Sequence, residues 1–277
     1  MNEPRRLLIT VAHPDDETFG TGSLLAKHAA EGVEVSVVCA TRGELGEIAP
    51  GSMATPETLP QVREAELRAA AAVMGVSRVE VLGYRDSGMD GSDGNRDPGS
   101  FINIPEDVII ASFVSAIRRL KPHVVVTQDP EGGYGHPDHK YVSRTTTAAF
   151  HLAGDPAYMS SSGEPPWTPA KLYYWVIPKS FLQAFSQWAK EFNPDWDMAN
   201  IDVSGMGAAE KDITTRLDTS MYLSVRKAAI AEHRSQAFPV QMLPADVQRL
   251  FMEMEHLVRI EPPWNGGQPE TDLFSGI

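Results

Sequence analysis

Short apolar segments alternate with helical patterns through the first 152 residues, and this alternation restricts the fold more than any other feature. The predicted strands cover residues 6–12, 33–40, 79–82 and 123–127. The predicted helices cover residues 18–31, 61–74, 106–120 and 140–152. Because a helix separates each strand from the next, we expect parallel strands joined by right-handed crossovers. A strand that is apolar throughout, such as the first, is buried on both faces of a sheet.

The second half of the chain has a weaker pattern. After a Gly-, Pro- and Ser-rich stretch we predict a strand over 171–178 and helices over 179–190, 221–235 and 244–255, whereas 192–220 is poorly patterned. We therefore predict an α/β fold with a Rossmann-like, doubly wound, mostly parallel sheet, helices on both faces and a C-terminal α/β extension. We expect one domain over 1–277, in which 1–152 forms the core sheet and 153–277 walls a pocket at the strand ends.

Ionisable residues are concentrated directly after the first predicted strand. The segment Ala12–Glu17 contains His13, Asp15, Asp16 and Glu17, which are one imidazole and three carboxylates within five residues. Carboxylates this close raise one another's pKa unless a cation lies among them, and a divalent metal is the simplest such cation. The alternative is that an aspartate caps the following helix and that Glu17 lies in the first turn of that helix, where negative charge is favoured. This alternative leaves His13 unexplained.

A second cluster follows the strand predicted over 123–127. The segment Gly132–His139 contains His136 and His139 in the turn before a helix. If the two strands are neighbours in one parallel sheet, His13 and Asp16 can meet one of these histidines. Three protein ligands and an open position are typical of a catalytic zinc site. Taken alone, the second loop would be better explained by histidines that are ordinary surface groups.

The inventory of the two clusters matches metal-assisted amide hydrolysis. A metal lowers the pKa of its water, a neighbouring carboxylate takes the proton, and a histidine can protonate the leaving amine. Other readings fit less well. Nucleotide binding would require Gly-x-Gly-x-x-Gly after the first strand, and a covalent serine hydrolase would require Gly-x-Ser-x-Gly. A non-enzymatic metal- or ligand-binding module is a further alternative, although it gives the second aspartate no role.

Composition excludes several classes of partner. The 277 residues have a formal net charge of −13, which argues against nucleic acid and against an anionic membrane surface. The single cysteine, Cys39, lies in an apolar run and permits no disulfide within the chain. No apolar stretch suggests a signal peptide or a membrane span. We expect a cytoplasmic protein that acts on a small molecule; a homo-oligomer is compatible with the sequence.

The motifs Ala-His-Pro-Asp-Asp-Glu at 12–17 and Gly-His-Pro-Asp-His at 135–139 resemble those of the LmbE/PIG-L family of zinc-dependent N-acetylglucosaminyl deacetylases. The resemblance extends over residues 5–152, and the segments 41–44, 63–66, 86–89 and 233–236 are further points of similarity. Chain length and the 233–236 segment are similar to the branch that makes mycothiol or cleaves its conjugates.

The resemblance implies roles for five residues of the two motifs. His13, Asp16 and His139 would bind zinc, although a site of two histidines and one aspartate also accepts Fe(II) or Co(II). Asp15 would be the general base. His136 would be the general acid or the electrostatic partner of the tetrahedral intermediate.

It also implies roles for five surrounding residues. Tyr134 would contact the oxyanion, and Asp138 would hold the imidazole of a ligand. Arg63 and Asp86 would contact sugar hydroxyls, and Met89 would form a wall of the sugar pocket. From the residues alone, Arg63 is equally well interpreted as a solvated helix residue.

The resemblance implies a hydrolase that removes the N-acetyl group from a GlcNAc-type amino-sugar conjugate, such as GlcNAc-inositol. The alternatives are an amidase that acts on a larger N-acyl amino-sugar conjugate, such as a mycothiol S-conjugate, and a GlcNAc-malate deacetylase. The segment 153–277 does not match clearly enough to assign residues, so the substrate stays open between these three.

Overall fold

The computed structural model describes residues 3–160, 163–192, 202–237 and 239–277. Its strands are β1 (Arg6–Val11), β2 (Glu34–Thr41), β3 (Arg78–Tyr84), β4 (Val124–Gln128), β5 (Lys171–Trp175), β6 (Thr215–Asp218) and β7 (Met254–Glu261). Its α-helices are α1 (Asp16–Ala30), α2 (Leu59–Met74), α3 (Glu106–Leu120), α4 (Pro137–Ala153), α5 (Lys179–Phe192), α6 (Leu223–Ile230) and α7 (Ala245–Met252). No described helix is long and apolar enough to cross a membrane.

The strands form a seven-stranded sheet in the order β3-β2-β1-β4-β5-β7-β6. The first five strands in this order are parallel, whereas β7 is antiparallel to both β5 and β6. The prediction of a doubly wound, mostly parallel α/β sheet is therefore confirmed. Hydrogen bonds between β4 and β5 continue the sheet from residues 1–152 into 153–277, in agreement with the single-domain organisation, which stays a prediction.

Helices cover both faces of the sheet and form a core on each face. Successive side chains of β1 point to opposite faces, so they enter the two cores alternately. Leu7 and Ile9 are buried in the core that contains side chains of α1 and α2. Leu8 is buried in the core that contains side chains of α3 and α4. The helix after β1 and the helix after β4 thus lie on opposite faces, and the neighbouring strands β1 and β4 open a crevice between them. In sheets of this type ligands bind at this switch point.

Our predictions for the second half of the chain were partly wrong. A helix was expected to reach residue 255, but α7 ends at Met252 and β7 begins at Met254. In β7, Glu255 and Leu257 are buried, so a carboxylate occupies an inward position and hides the alternating apolar pattern of a strand.

Two further differences have similar physical causes. The strand β6 lies within the poorly patterned stretch 192–220 and has four residues, which is too short for a clear signal. Residues 193–201 of that stretch lie outside the described residues. The helix expected over 221–235 is shorter in the structure, because α6 ends at Ile230 and 231–236 form turns.

Candidate active site

The two motifs meet at the carboxyl ends of β1 and β4. His13 follows β1, and His139 lies in the first turn of α4. The Nδ1 atom of His13 is 3.2 Å from Nε2 of His139. Asp16, at the beginning of α1, places Oδ1 3.2 Å from Nε2 of His139 and Oδ2 3.5 Å from Nδ1 of His13. Three potential ligand groups therefore converge from two loops that are far apart in sequence.

In each imidazole, one ring nitrogen (the inner one) faces the other histidine and the second (the outer one) faces away from it. The hydrogen bond of the outer nitrogen determines which nitrogen has a free lone pair. His13 Nε2 lies 3.1 Å from Oδ2 of Asp138, and His139 Nδ1 lies 3.2 Å from the carbonyl oxygen of Gly132. Both partners accept hydrogen bonds, so the outer nitrogens carry the protons. The inner nitrogens then direct their lone pairs at each other across 3.2 Å. Two lone pairs at this distance require a proton or a metal cation between them, and the arrangement fits a metal with three protein ligands and an open position.

The electrostatics of these groups also favour a bound cation. Burial lowers the pKa of His13, but Asp86, Asp138 and Asp16 outweigh burial and raise it well above its usual value. For the Asp16 carboxyl, burial raises the pKa, yet His139 and His13 bring it well below its usual range. Without a metal, protons on the histidines would have to balance these acids. A divalent cation provides the same balance.

Two other buried groupings among the described residues bring three potential ligand atoms within 4.8 Å of one another. One adds His136 to His13 and His139, and the other joins His13 to Asp86 and Asp138. In the second grouping, the acids face Nε2 of His13, which is the protonated side. We therefore favour Asp16 as the third ligand, because its two oxygens contact the inner nitrogens of both histidines.

Asp138 and Asp86 surround the outer edge of His13. Asp138 is fully buried, and its Oδ2 also accepts a hydrogen bond from the backbone N–H of Ser87 at 3.0 Å. Asp86 Oδ1 lies 3.5 Å from His13 Nε2, and the Asp86 carboxylate accepts hydrogen bonds from Leu45 N and Gly88 N. The expected contact of Asp138 with a ligand imidazole is thus present in the geometry. Asp86 is also buried, and its predicted contact with a sugar stays a prediction.

Asp15 lies beside the converging ligands in an unusual backbone conformation. Its φ of 131° and ψ of −28° are rare for a residue with a side chain, and such conformations cost on the order of 1–3 kcal/mol. Arg63 donates a hydrogen bond to Asp15 Oδ2 at 3.0 Å and also binds the carbonyl oxygens of Pro14 and Gly43. Burial raises the pKa of Asp15 to about 6, with a smaller increase from Asp16, while Arg63 opposes the shift.

Arg63 was expected to contact a sugar hydroxyl, with a solvated helix residue as the alternative. In the structure its guanidinium binds Asp15. Its side chain is buried, and the Cβ that a residue other than glycine would place at position 43 would lie 2.2 Å from Nη1 of Arg63. Gly43 therefore permits the close approach of the loop to the guanidinium. The sugar contact is untested and stays a prediction.

His136 and Tyr134 border the same site. The Nδ1 atom of His136 accepts a hydrogen bond from the Asp138 backbone N–H at 3.2 Å, which caps α4 and leaves the proton on Nε2. Burial, together with smaller effects of His13 and His139, lowers the pKa of His136 to about 2. The Tyr134 ring is 42% exposed and lies 5.1 Å from the ring of His139; loss of water on the side of the phenol that faces the site, together with the Asp16 charge, raises the pKa of its hydroxyl. Both groups are neutral donors near neutral pH.

Two parts of the site escaped the sequence interpretation. Glu17 is completely buried and contacts His233, a residue 216 positions away, at 3.1 Å. The sequence offered two signals, the third acid of the first motif and the similarity of residues 233–236, but we had assigned neither of them a role in the site.

Met89 lies on the loop after β3 and is half-exposed, so its predicted place in a pocket wall stays a prediction.

Comparison with known proteins identifies the family. The family described as PIG-L, GlcNAc-PI de-N-acetylase, matches residues 8–150. A curated relative from Streptomyces scabiei, named 1D-myo-inositol 2-acetamido-2-deoxy-alpha-D-glucopyranoside deacetylase, is 36% identical, and the match covers 98% of this chain and 90% of the relative.

Solved structures show the same fold at lower identity. The N,N'-diacetylchitobiose deacetylase of Pyrococcus horikoshii has a TM-score of 0.63 and 18% identity, with 93% of this chain and 84% of that chain covered. GalB, the 4-carboxy-2-hydroxymuconate hydratase of Pseudomonas putida KT2440, has a TM-score of 0.62 and 20% identity, with 95% and 99% covered. The family match and the curated relative establish that this chain belongs to the PIG-L (LmbE-like) family.

Proposed function

We propose that this protein is a metal-dependent amide hydrolase that removes the N-acetyl group from a GlcNAc conjugate, with GlcNAc-inositol as its substrate. The observation that supports the proposal most directly is the convergence of His13, Asp16 and His139, with Asp15 beside them. Family membership and the name of the curated relative support the deacetylation and the choice of sugar.

His13, Asp16 and His139 would hold the metal, for which we propose zinc. Two imidazoles and one carboxylate with an open position suit Zn²⁺, and the same donors accept Fe(II) or Co(II). When bound, the metal supplies a water of lowered pKa and polarises the acetyl carbonyl. Asp138 keeps the proton of His13 on Nε2, so that Nδ1 stays available as a ligand atom.

Asp15 is the general base in this proposal. It takes a proton from the attacking water while the water oxygen forms a bond to the acetyl carbon. With a pKa of about 6, the carboxylate is ionised at neutral pH and still basic enough to accept a proton. Arg63 fixes the side chain by its hydrogen bond to Oδ2.

His136 and Tyr134 stabilise the negative charge that develops on the carbonyl oxygen. His136 presents a neutral Nε2–H, because Nδ1 is occupied by the α4 cap and the pKa is strongly lowered. This favours its role as an electrostatic partner over that of general acid. Asp15 then returns the proton to the sugar nitrogen as the C–N bond breaks, which yields acetate and the free amine.

The choice of substrate rests on the relatives and not on the fold. The hydratase GalB shares the fold, so the architecture alone does not specify the reaction. We keep the predictions that Arg63, Asp86 and Met89 contact the sugar, that 153–277 walls the pocket and that the protein is cytoplasmic. The amidase and GlcNAc-malate alternatives differ in the group attached to the sugar, so they are separated by substrate and not by mechanism.

The test is amine release from a panel of four compounds by metal-stripped protein, before and after addition of Zn²⁺, Fe²⁺ or Co²⁺. The panel contains GlcNAc, GlcNAc-inositol, GlcNAc-malate and a mycothiol S-conjugate. We expect metal-dependent release that is fastest from GlcNAc-inositol. Faster release from another member would correct the substrate and retain the chemistry. Tight metal binding without turnover of any compound would contradict the proposal and favour a binding module.

A further inference from the structure

We propose that Glu17 and His233 form a positioning pair that holds Asp15 in its active conformation. The proposal rests on the proposed function, because it assumes that Asp15 is the base. It assigns a role to the buried acid of the first motif and to one turn of the segment 153–277. Neither residue is placed to touch the substrate or the metal, so both would act through Asp15.

The backbone of Asp15 requires an external restraint. In the described part of the chain, Asp15 and Lys121 are the residues other than glycine with positive φ. Lys121 ends helix α3 in the ordinary left-handed conformation, with φ and ψ both 49°. Asp15 has a φ of 131°, which lies outside that conformation and persists only where surrounding contacts enforce it.

Glu17 makes the contact that opposes relaxation of this backbone. Its Oε2 accepts a hydrogen bond from the Asp15 N–H at 3.0 Å. The other oxygen, Oε1, accepts a hydrogen bond from the hydroxyl of Thr18 and lies 3.1 Å from Nε2 of His233. The carboxylate is completely buried, so these groups replace the water that would otherwise solvate it. Both oxygens are thereby fixed in direction.

His233 connects this carboxylate to the rest of the molecule. Its ring is buried and packs against the Phe19 ring, with centroids 5.5 Å apart. Two residues later, Ser235 donates two hydrogen bonds to the Glu66 carboxylate on α2, and its carbonyl oxygen accepts from the N–H of Ala49. The turn that presents His233 is therefore anchored to the core, which makes it a rigid support for Glu17.

Positioning of Asp15 and simple stabilisation of the fold predict different effects of mutating His233. If the pair only stabilised the fold, loss of the donor from His233 would lower the amount of folded protein and leave each folded molecule fully active. If the pair positions Asp15, loss of the donor would lower kcat in folded, metal-loaded protein. Residues that support a metal or catalytic group typically change activity by about 10–100-fold when mutated.

The experiment compares His233→Leu, which removes the donor, with His233→Gln, which retains one. His28→Leu is the matched control, because His28 is also buried, but its hydrogen bond goes to the Leu24 carbonyl within α1 and its ring lies beside Phe274. We expect His233→Leu to lower kcat about 10-fold or more at unchanged KM and metal content. We expect His233→Gln to stay within about threefold of the unmodified enzyme, and His28→Leu to leave kcat of the folded fraction unchanged.

A double-mutant cycle identifies the route of the effect. In an Asp15→Ala background, His233→Leu should cause no further loss of the residual rate, because residues that act as a unit are not additive. An equal further loss would overturn the proposal. If His233→Leu does not fold, Glu17→Gln provides the same test. The amide oxygen of glutamine can accept a hydrogen bond either from the Asp15 N–H or from His233, but not from both.

A crystal structure of His233→Leu supplies a readout that does not depend on turnover. We expect φ of Asp15 to change from the value near 131° towards a negative angle. An unchanged φ together with an unchanged kcat would overturn the inference while the deacetylase assignment stands. Absence of turnover in the unmodified protein would overturn the proposed function, and φ would then decide whether the pair restrains Asp15.

Discussion

Asp138→Asn tests whether the charge behind His13 strengthens metal binding. Asp138 Oδ2 accepts hydrogen bonds from His13 Nε2 at 3.1 Å and from Ser87 N at 3.0 Å. The carbonyl oxygen of an asparagine can occupy that position and keep both hydrogen bonds. The substitution therefore removes the negative charge with little change in geometry, and His13 becomes a weaker donor to the metal.

The expected magnitude follows from the role of such partners. Their mutation typically weakens metal affinity by about 10–100-fold, which corresponds to about 1.4–2.7 kcal/mol. The side-chain amide would also replace Oδ1, which is buried and has no hydrogen-bond partner in the described structure. An unpaired buried amide costs roughly 1–3 kcal/mol, so the free energy of unfolding of the metal-free protein should also decrease.

The assay is competition for Zn²⁺ against a chelator of known affinity, followed by kcat at saturating metal. The matched control is Asp155→Asn, because Asp155 also accepts a backbone hydrogen bond, from Ala157, but lies beyond the far end of α4, away from the site. We expect a weaker affinity for Zn²⁺ in Asp138→Asn and an unchanged affinity in the control variant. Unchanged zinc affinity in Asp138→Asn would refute the argument that this carboxylate supports the ligand.

Three further predictions concern the base, its titration and the late strand. Asp15→Ala should retain metal and lose about 10²–10⁴-fold in kcat, and wild-type turnover in that variant would remove Asp15 as the base. Because Asp15 must be ionised, and burial raises its pKa to about 6 while a bound metal lowers it again, the rate should fall on the acid side as pH decreases through and below 6; a rate that rises as pH decreases from 7 to 5 would contradict this. Leu257→Ala in β7, where the side chain is fully buried, should lower the free energy of unfolding by about 2–5 kcal/mol in chemical denaturation, and a loss below about 1 kcal/mol would mean that β7 is not part of the core.

The meeting of the two motifs could be predicted from the sequence because it follows from sheet geometry. Parallel strands end at the same edge, so apolar segments followed by polar loops indicated where His13 and His139 would lie. The sequence placed Asp16 with His13 near the second-loop histidines, and the family resemblance then assigned Asp16 to the ligand set and Asp15 to the base. The structure adds the physical reason, since Asp16 contacts both imidazoles and Asp15 contacts Arg63.

Contacts that depend on helix packing or on distant segments could not be predicted in the same way. Arg63 lies on α2, and only the packing of that helix beside α1 brings it to Asp15. The strand β7 was missed because Glu255 occupies an inward position, where it forms a buried ion pair with Arg226 at 3.2 Å. A local pattern of apolar residues contains no information about such a partner.

The segment 153–277 contributes to the site although the family match ends at residue 150. Arg226 is fully buried and donates hydrogen bonds to the carbonyl oxygens of Thr18, Phe19 and Gly20, in the turn of α1 directly behind the first motif. His233 contacts Glu17 in the same turn. The helix start that presents Asp16 and supports Asp15 is therefore held from outside the matched region. The motif residues alone would not specify this local structure, because Thr18 and Glu17 contact side chains more than 200 positions away.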